Sequence, residues 1–231
     1  MIQLNQVTKL YSRRGDTVTA LQCDELTIAK GEYVAVVGPS GSGKTTLLSV
    51  LGGMLSPTTG EVLFDGKSLY KLSPVERSAV RSARMGFVFQ TFNLIPYLTA
   101  LQNVQIPLCL AGMDAAKQID QATGLLVRFG LGERLHHRPA ELSVGQQQRV
   151  ALARTLVHGP QVILADEPTG NLDPESREVV LESFAQCQRE GRTIVMVTHD
   201  PVAATRAQRR LVLRAGRLSE STSEDPALRV A

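Results

Sequence analysis

An α/β fold with a mixed sheet and an inserted helical region is predicted by three features of the sequence. Short, nearly continuous β-rich runs feed directly into helical patterns, as in YVAVVGPSGSGKTTLLSVLGG from Tyr33 to Gly53, which is how a buried parallel strand and its helix begin. The chain before that run instead alternates apolar and polar positions, the mark of half-buried antiparallel strands. Residues 91 to 140 then lose the strand signal almost entirely and take on helical spacing.

The elements follow in chain order. Ile2, Leu4 and Val7, then Leu21, Leu26 and Ile28, mark two edge-type strands with a turn between them, closed by Lys30-Gly31. Tyr33 to Val37 is the first buried strand, and after a glycine-rich turn a helix rises through Leu47, Leu48 and Leu51. Gly60 to Tyr70 reads as a strand with an Asp65-Gly66 turn, and Ser73 to Arg84 as a charged helix before the short strand Gly86 to Phe89. Pro96 and Pro107 open the helical stretch, where Ile119, Ala122, Leu125, Leu126 and Phe129 recur at helical spacing, and it continues into the helix that follows ELSVG. Gln161 to Ala165 is a strand ending in Asp166-Glu167-Pro168. Val180, Phe184 and Cys187 share a face of a helix over 175 to 189, with Glu175 and Glu178 in its first turn. Thr193 to Thr198 is a buried strand, and Arg209 to Arg217 holds the last one. The expected organisation is a single domain over residues 1 to 220 with a loose tail from 221 to 231. Residues 1 to 90 and 159 to 220 form the α/β core with its antiparallel β subdomain, and 91 to 158 a helical subdomain.

At 231 residues the chain is long enough to bury a sizeable core. Cys23, Cys109 and Cys187 stand far apart in no metal-type spacing and read as buried reduced thiols. The formal charge of +3 is spread over scattered arginines without interleaved aromatics, so no direct nucleic-acid binding is expected. The start has no basic region leading into an apolar run, and no apolar run approaches the roughly 20 residues that cross a bilayer. Work at a membrane therefore calls for another chain.

Gly38, Pro39, Ser40, Gly41, Ser42, Gly43, Lys44 and Thr45, followed by Thr46, have the spacing of a phosphate loop between a strand and a helix, and make the core that of a P-loop NTPase. The glycines let successive N–H groups face a β-phosphate and the helix start adds its positive end. Lys44 would reach the β- and γ-phosphates of ATP, and Thr45 would hold Mg2+. Asp166 comes off its strand beside that metal, and Glu167 stands where an attacking water would sit. A carboxylate at 167, able to act as general base, points to hydrolysis as well as binding. Gln90 and His199 close two further strands on the same sheet edge and complete a candidate γ-phosphate sensor, with Gln90 near Mg2+ and at the hinge of the helical lobe. Ser143 has the character of an N-cap, and with Gly145 it makes a second helix start able to hold an anion. Such a start is most useful closing over the γ-phosphate held by another molecule.

Together these segments resemble the ATP-binding cassette family of transporter ATPases over nearly the full length of the chain. GPSGSGKT at 38 to 45, Gln90, LSVGQ at 142 to 146, ILADE at 163 to 167, NLD at 171 to 173 and His199 stand in that family's order. The resemblance implies that Tyr11 stacks on adenine, that Ser143, Gly145 and Gln146 belong to the signature, and that Asp173 serves communication across a dimer interface. It implies two copies head to tail, each ATP resting on Lys44 and Thr45 of one and facing Ser143 and Gly145 of the other. Glu167 would then polarise water and His199 stabilise the transition state. ADEPTGNLD at 165 to 173 is similar to the subfamily serving lipoprotein release, macrolide-type export and cell-division permeases. That implies a separate transmembrane permease docked near Phe92, Leu94, Ile95 and Pro96, a peripheral place on the cytoplasmic face of the membrane, and export or extraction of lipoprotein, lipid or a hydrophobic substrate. The alternative is a non-transport cassette ATPase or a nucleotide-dependent clamp, such as a cell-division-type scaffold.

Val144 stands where the family usually has a second glycine. A β-branched residue is harmful there if φ must be positive and harmless if the backbone is ordinary. With Ser143, Gly145 and Glu167 all present, the ordinary backbone is expected.

Overall fold

The computed structural model describes residues 1 to 13 and 16 to 220, so the turn expected between the first two strands and the tail expected after Glu220 lie outside the described residues. The strands are β1 (Ile2–Arg13), β2 (Asp16–Ile28), β3 (Tyr33–Val37), β4 (Thr59–Phe64), β5 (Lys67–Ser68), β6 (Met85–Phe89), β7 (Val162–Asp166), β8 (Thr193–Thr198), β9 (Arg209–Arg214) and β10 (Arg217–Glu220). They form one mixed sheet in the order β5-β4-β1-β2-β10-β9-β3-β8-β7-β6. From β9 to β6 every pairing is parallel, whereas β1, β2, β4 and β5 pair antiparallel. β10 joins the two halves, antiparallel to β9 and parallel to β2.

The central strands read as unbroken apolar runs because both of their faces are covered. Tyr33, Ala35 and Val37 of β3 enter the core beneath the helical region, with Ile163, Ala165, Ile194 and Met196. Val34 and Val36 point the other way, into a second core shared with Leu47 and Leu51 of α1 (Lys44–Leu51) and with Leu4, Leu21 and Val62 of the antiparallel strands. This period-two division lets one sheet serve two cores.

α2 (Pro74–Arg84) buries no residue outright and is tied down by arginines instead. Arg77 lies over the Tyr70 ring, Arg84 over that of Phe64, and Arg81 donates to the Gly53 carbonyl at 3.0 Å. α3 (Ala100–Leu110), α4 (Ala115–Arg128) and α5 (Val144–Leu156) lie between β6 and β7 in the chain, and α6 (Pro174–Arg189) and α7 (Pro201–Ala204) complete the α-helices of the described residues. Ala122 and Leu126 of α4 are buried as the spacing predicts, but Ile119 is half exposed at the solvent edge of that face. Cys23 and Cys187 are buried, whereas Cys109 is exposed, a correction to the expectation of three buried thiols. Among the described residues no helix is long and apolar enough to cross a membrane.

Candidate active site

The chemistry-bearing residues gather where β3, β6, β7 and β8 end together. After β3 the chain turns through Gly38 to Gly43 with other backbone pressed against it. A Cβ on Gly43, whose φ is 105°, would lie 2.0 Å from the Ala20 carbonyl oxygen, and one on Gly38 would lie 2.2 Å from that of Leu213. These glycines are therefore fixed by β2 and β9 as much as by any ligand. Lys44 is nearly buried, donates to the carbonyls of Gly38 at 2.8 Å and Pro39 at 3.0 Å, and lies 3.7 Å from Glu167 Oε1. The Ser42 hydroxyl is buried without a hydrogen-bond partner.

Thr45 Oγ1 donates to Asp166 Oδ2 at 2.8 Å. Burial raises the Asp166 carboxyl above its ordinary value and the neighbouring Glu167 adds to this, while the Thr45 hydrogen bond and the Lys44 charge oppose it. Glu167 leaves the strand with φ 45°, in the left-handed region that residues with a Cβ seldom occupy. Its N–H donates to the Val197 carbonyl at 2.9 Å, and its carboxylate accepts from the His199 N–H at 3.1 Å and lies 3.0 Å from His199 Nδ1. The bend thus aims one carboxylate between an ammonium and an imidazole.

Lys44, Thr45, Gln90, Asp166, Glu167 and His199 all line one cleft of about 1060 Å³, with Ser40, Gly41, Gly43 and Thr46 on the loop side. Gly38, Pro39 and Ser42 are not among its lining residues. Val18, Thr19, Ala20, Ala215 and Gly216 also line the cleft, and sequence reasoning missed them; the only signals were the Ala-Gly turn and a loop glycine with no room for a side chain. Tyr11 is not among the lining residues. It pairs with Val18 across β1 and β2 and sits beneath Lys9 Nζ, 5.4 Å from its ring centre. The donor set fits a magnesium nucleotide: an ammonium and loop N–H groups suit phosphate, and a hydroxyl and carboxylate in contact suit a hard divalent cation.

Ser143, Gly145, Gln146 and Asp173 lie outside this cleft and together at the starts of α5 and α6. Ser143 Oγ accepts from the Gln146 N–H at 3.2 Å and Gln146 Oε1 from the Ser143 N–H at 3.0 Å, a complete capping box. Val144 opens the helix without a positive φ, and its side chain is 47% exposed, so the β-branch is accommodated. Gly145 is the constrained position, since a Cβ there would stand 2.1 Å from Ser176 Oγ and 2.8 Å from Ser176 Cβ. Asp173 caps α6 by accepting from the Ser176 N–H at 2.9 Å, and that bond holds its carboxyl below the ordinary value. On the other side of α5, Arg154 donates to the carbonyls of Phe92 at 2.7 Å and Asn93 at 2.6 Å, pinning two positive-φ residues just after Gln90.

Comparisons with known proteins agree with this geometry. Residues 21 to 170 match the family model described as ABC transporter. The chain is 44% identical over 225 residues to the macrolide export ATP-binding/permease protein MacB of Marinobacter nauticus, covering 97% of this chain and 35% of that protein. It therefore spans about a third of the length of that relative. An uncharacterised ABC transporter ATP-binding protein of Thermotoga maritima is 48% identical over 200 residues, covering 87% of this chain and 86% of that protein. Among solved structures, the ATP-binding cassette MJ0796, in a dimeric post-hydrolysis state bound to ADP and Pi, superposes with a TM-score of 0.88 at 38% identity and full coverage of both chains. A phosphate loop, a threonine and aspartate in contact, and a bent glutamate beside a histidine thus occur on a shared fold, and the chain belongs to the ABC transporter family as one of its ATPase domains.

Proposed function

We propose that two copies of this chain form an ATP sandwich that drives a separate transmembrane permease, from a peripheral position on the cytoplasmic face of the membrane. The substrate class is a lipoprotein, lipid or other hydrophobic molecule to be exported or extracted. The observation that carries the hydrolytic half is the convergence of Lys44, Asp166, Glu167 and His199 at adjacent strand ends. Lys44 exchanges its loop carbonyls for phosphate oxygens. Thr45 and Asp166, with Gln90, hold Mg2+, which when bound neutralises phosphate charge. Glu167 takes a proton from water, and His199 keeps its carboxylate oriented toward the γ-phosphate. Ser143 and Gly145 of one copy face the nucleotide of the other, beside Asp173. Tyr11, on the face that carries Val18, stacks against adenine.

The dimeric form of MJ0796 supports the paired arrangement, and the fusion of ATP-binding and permease parts in the MacB relative supports the permease. Ile95 and Pro96 are exposed after β6, while Leu94 packs against the helical core, which suits a short docking segment anchored at its base. The test is Glu167→Gln. Turnover should fall by about 10²-fold or more, and light scattering should detect a dimer only with ATP. Full turnover independent of protein concentration, with no ATP-dependent dimer of the variant, would sink the composite site. For the permease, the tagged chain should bring down a multi-span membrane protein, and Ile95→Glu should lose it while keeping basal ATPase activity.

A further inference from the structure

We propose that Gln148 is a positioning residue for Glu167, passing the placement of the start of α5 to the catalytic carboxylate through the Pro168 carbonyl. This rests on the reading of Glu167 as the base and of the start of α5 as the surface facing the other copy's nucleotide.

Gln148 is fully buried in a helix whose buried side is mostly apolar, with Val150, Leu152 and Ala153 equally inaccessible and the one other buried polar side chain, Thr155, satisfied by the carbonyls of Phe87 and Ala151. A buried amide is costly unless it is hydrogen-bonded, and an apolar side chain of the same size would fill that space without the cost. Its Nε2 donates to the Pro168 carbonyl at 2.6 Å, while Oε1 has no partner. The amide is thus poorly satisfied for itself. What it supplies is a hold on the residue next to Glu167.

Pro168 helps that hold. Its ring fixes φ, which removes one of the two backbone rotations able to absorb a pull on its carbonyl before it reaches the Glu167 peptide. Glu167 is already restrained on its other flank by Val197 and His199. Gly145 lies three residues before Gln148, on the same helix face, against Ser176 and close to Asp173. The first two turns of α5 therefore touch the segment after Glu167 near both of its ends. Thr169, next to Pro168, has a buried hydroxyl with no partner, so hydrogen bonding at this junction is incomplete in the present arrangement. A small shift of the start of α5 therefore bears on Pro168 through Gln148 as well as on Ser176 through Gly145.

Gln148→Met, which keeps the volume and loses the amide, and Gln148→Asn, which keeps an amide with shorter reach, are compared with the parent. Melting is measured first, then kcat and KM for ATP, then ATP-dependent dimerisation with Glu167→Gln added. Gln148→Met should melt like the parent and lose kcat by about tenfold or more, equivalent to about 1.4 kcal/mol of barrier. Its KM and its dimerisation should stay within about twofold. Gln148→Asn should lose less. An unchanged kcat overturns the proposal, as does a loss of kcat matched by a rise in KM and a loss of dimerisation, or failure of both variants to fold, each of which makes Gln148 a packing residue at most. Glu167→Gln alone is the control: if it keeps turnover, the reading of Glu167 fails independently of Gln148.

Discussion

Replacing Gly145 with alanine separates the role of this glycine within its own chain from any role toward a second copy. The added Cβ would lie 2.8 Å from Ser176 Cβ and 2.1 Å from Ser176 Oγ. The hydroxyl is able to rotate away, but the Cβ moves only with α6, and carbon atoms settle at about 3.5 to 4.0 Å. The start of α5 must therefore back away from α6 by several tenths of an ångström. Overpacking of this kind costs about 1 to 3 kcal/mol, which for a chain of this size lowers Tm by about 2 to 4 °C per kcal/mol. Ser176→Gly removes both obstructing atoms, so the double variant should recover much of the loss, with a coupling of about 0.5 to 3 kcal/mol. Thermal unfolding by circular dichroism, without nucleotide and at concentrations where the chain is monomeric, measures all four proteins. An unchanged Tm for Gly145→Ala, or a double variant no better than additive, would refute the packing explanation.

Two further outcomes follow from the same geometry. Val144→Gly removes an exposed side chain from an ordinary helical backbone, so it should cost under about 1 kcal/mol of helix propensity and change turnover by less than about tenfold; a larger rise in steady-state ATPase rate would show that Val144 obstructs closure. Asp166→Asn should abolish turnover yet raise stability. The folded carboxyl holds its proton to a higher pH than the unfolded one, so parent stability falls as pH rises from about 3.9 through the raised value. The variant should match the parent below that window and exceed it above, and melting curves that stay parallel across pH would contradict the burial assigned to Asp166.

The parallel core was legible because two-sided burial leaves a plain signal: Tyr33 to Val37 and Thr193 to Thr198 fall where the apolar runs are. The strand before Glu167 runs one residue further than its hydrophobic stretch, because Asp166 still pairs with Val197. α7 and β10 escaped notice, being four residues each and without a distinct period. Within the site, motif spacing located Lys44, Asp166, Glu167 and His199, whose meeting depends only on strand ends sharing an edge. Ala20 and Ala215 carry no chemistry of their own and come close through the sheet order alone. Gly145 reads in the sequence as part of an anion-holding helix start; its φ is not positive, and the reason for glycine lies in a serine thirty-one positions away.

Lys44 has a consequence for the base beside it. Its ammonium is engaged by two loop carbonyls and lies 3.7 Å from Glu167 Oε1. Under the proposed function, nucleotide binding would exchange one set of acceptors for another, with a modest net gain in hydrogen bonding. Under the proposed chemistry, a Lys44 turned toward phosphate would leave Glu167 without that cation beside its oxygens. The group that would bind the substrate is thus the same one that neighbours the base, and the two duties draw on a single charge.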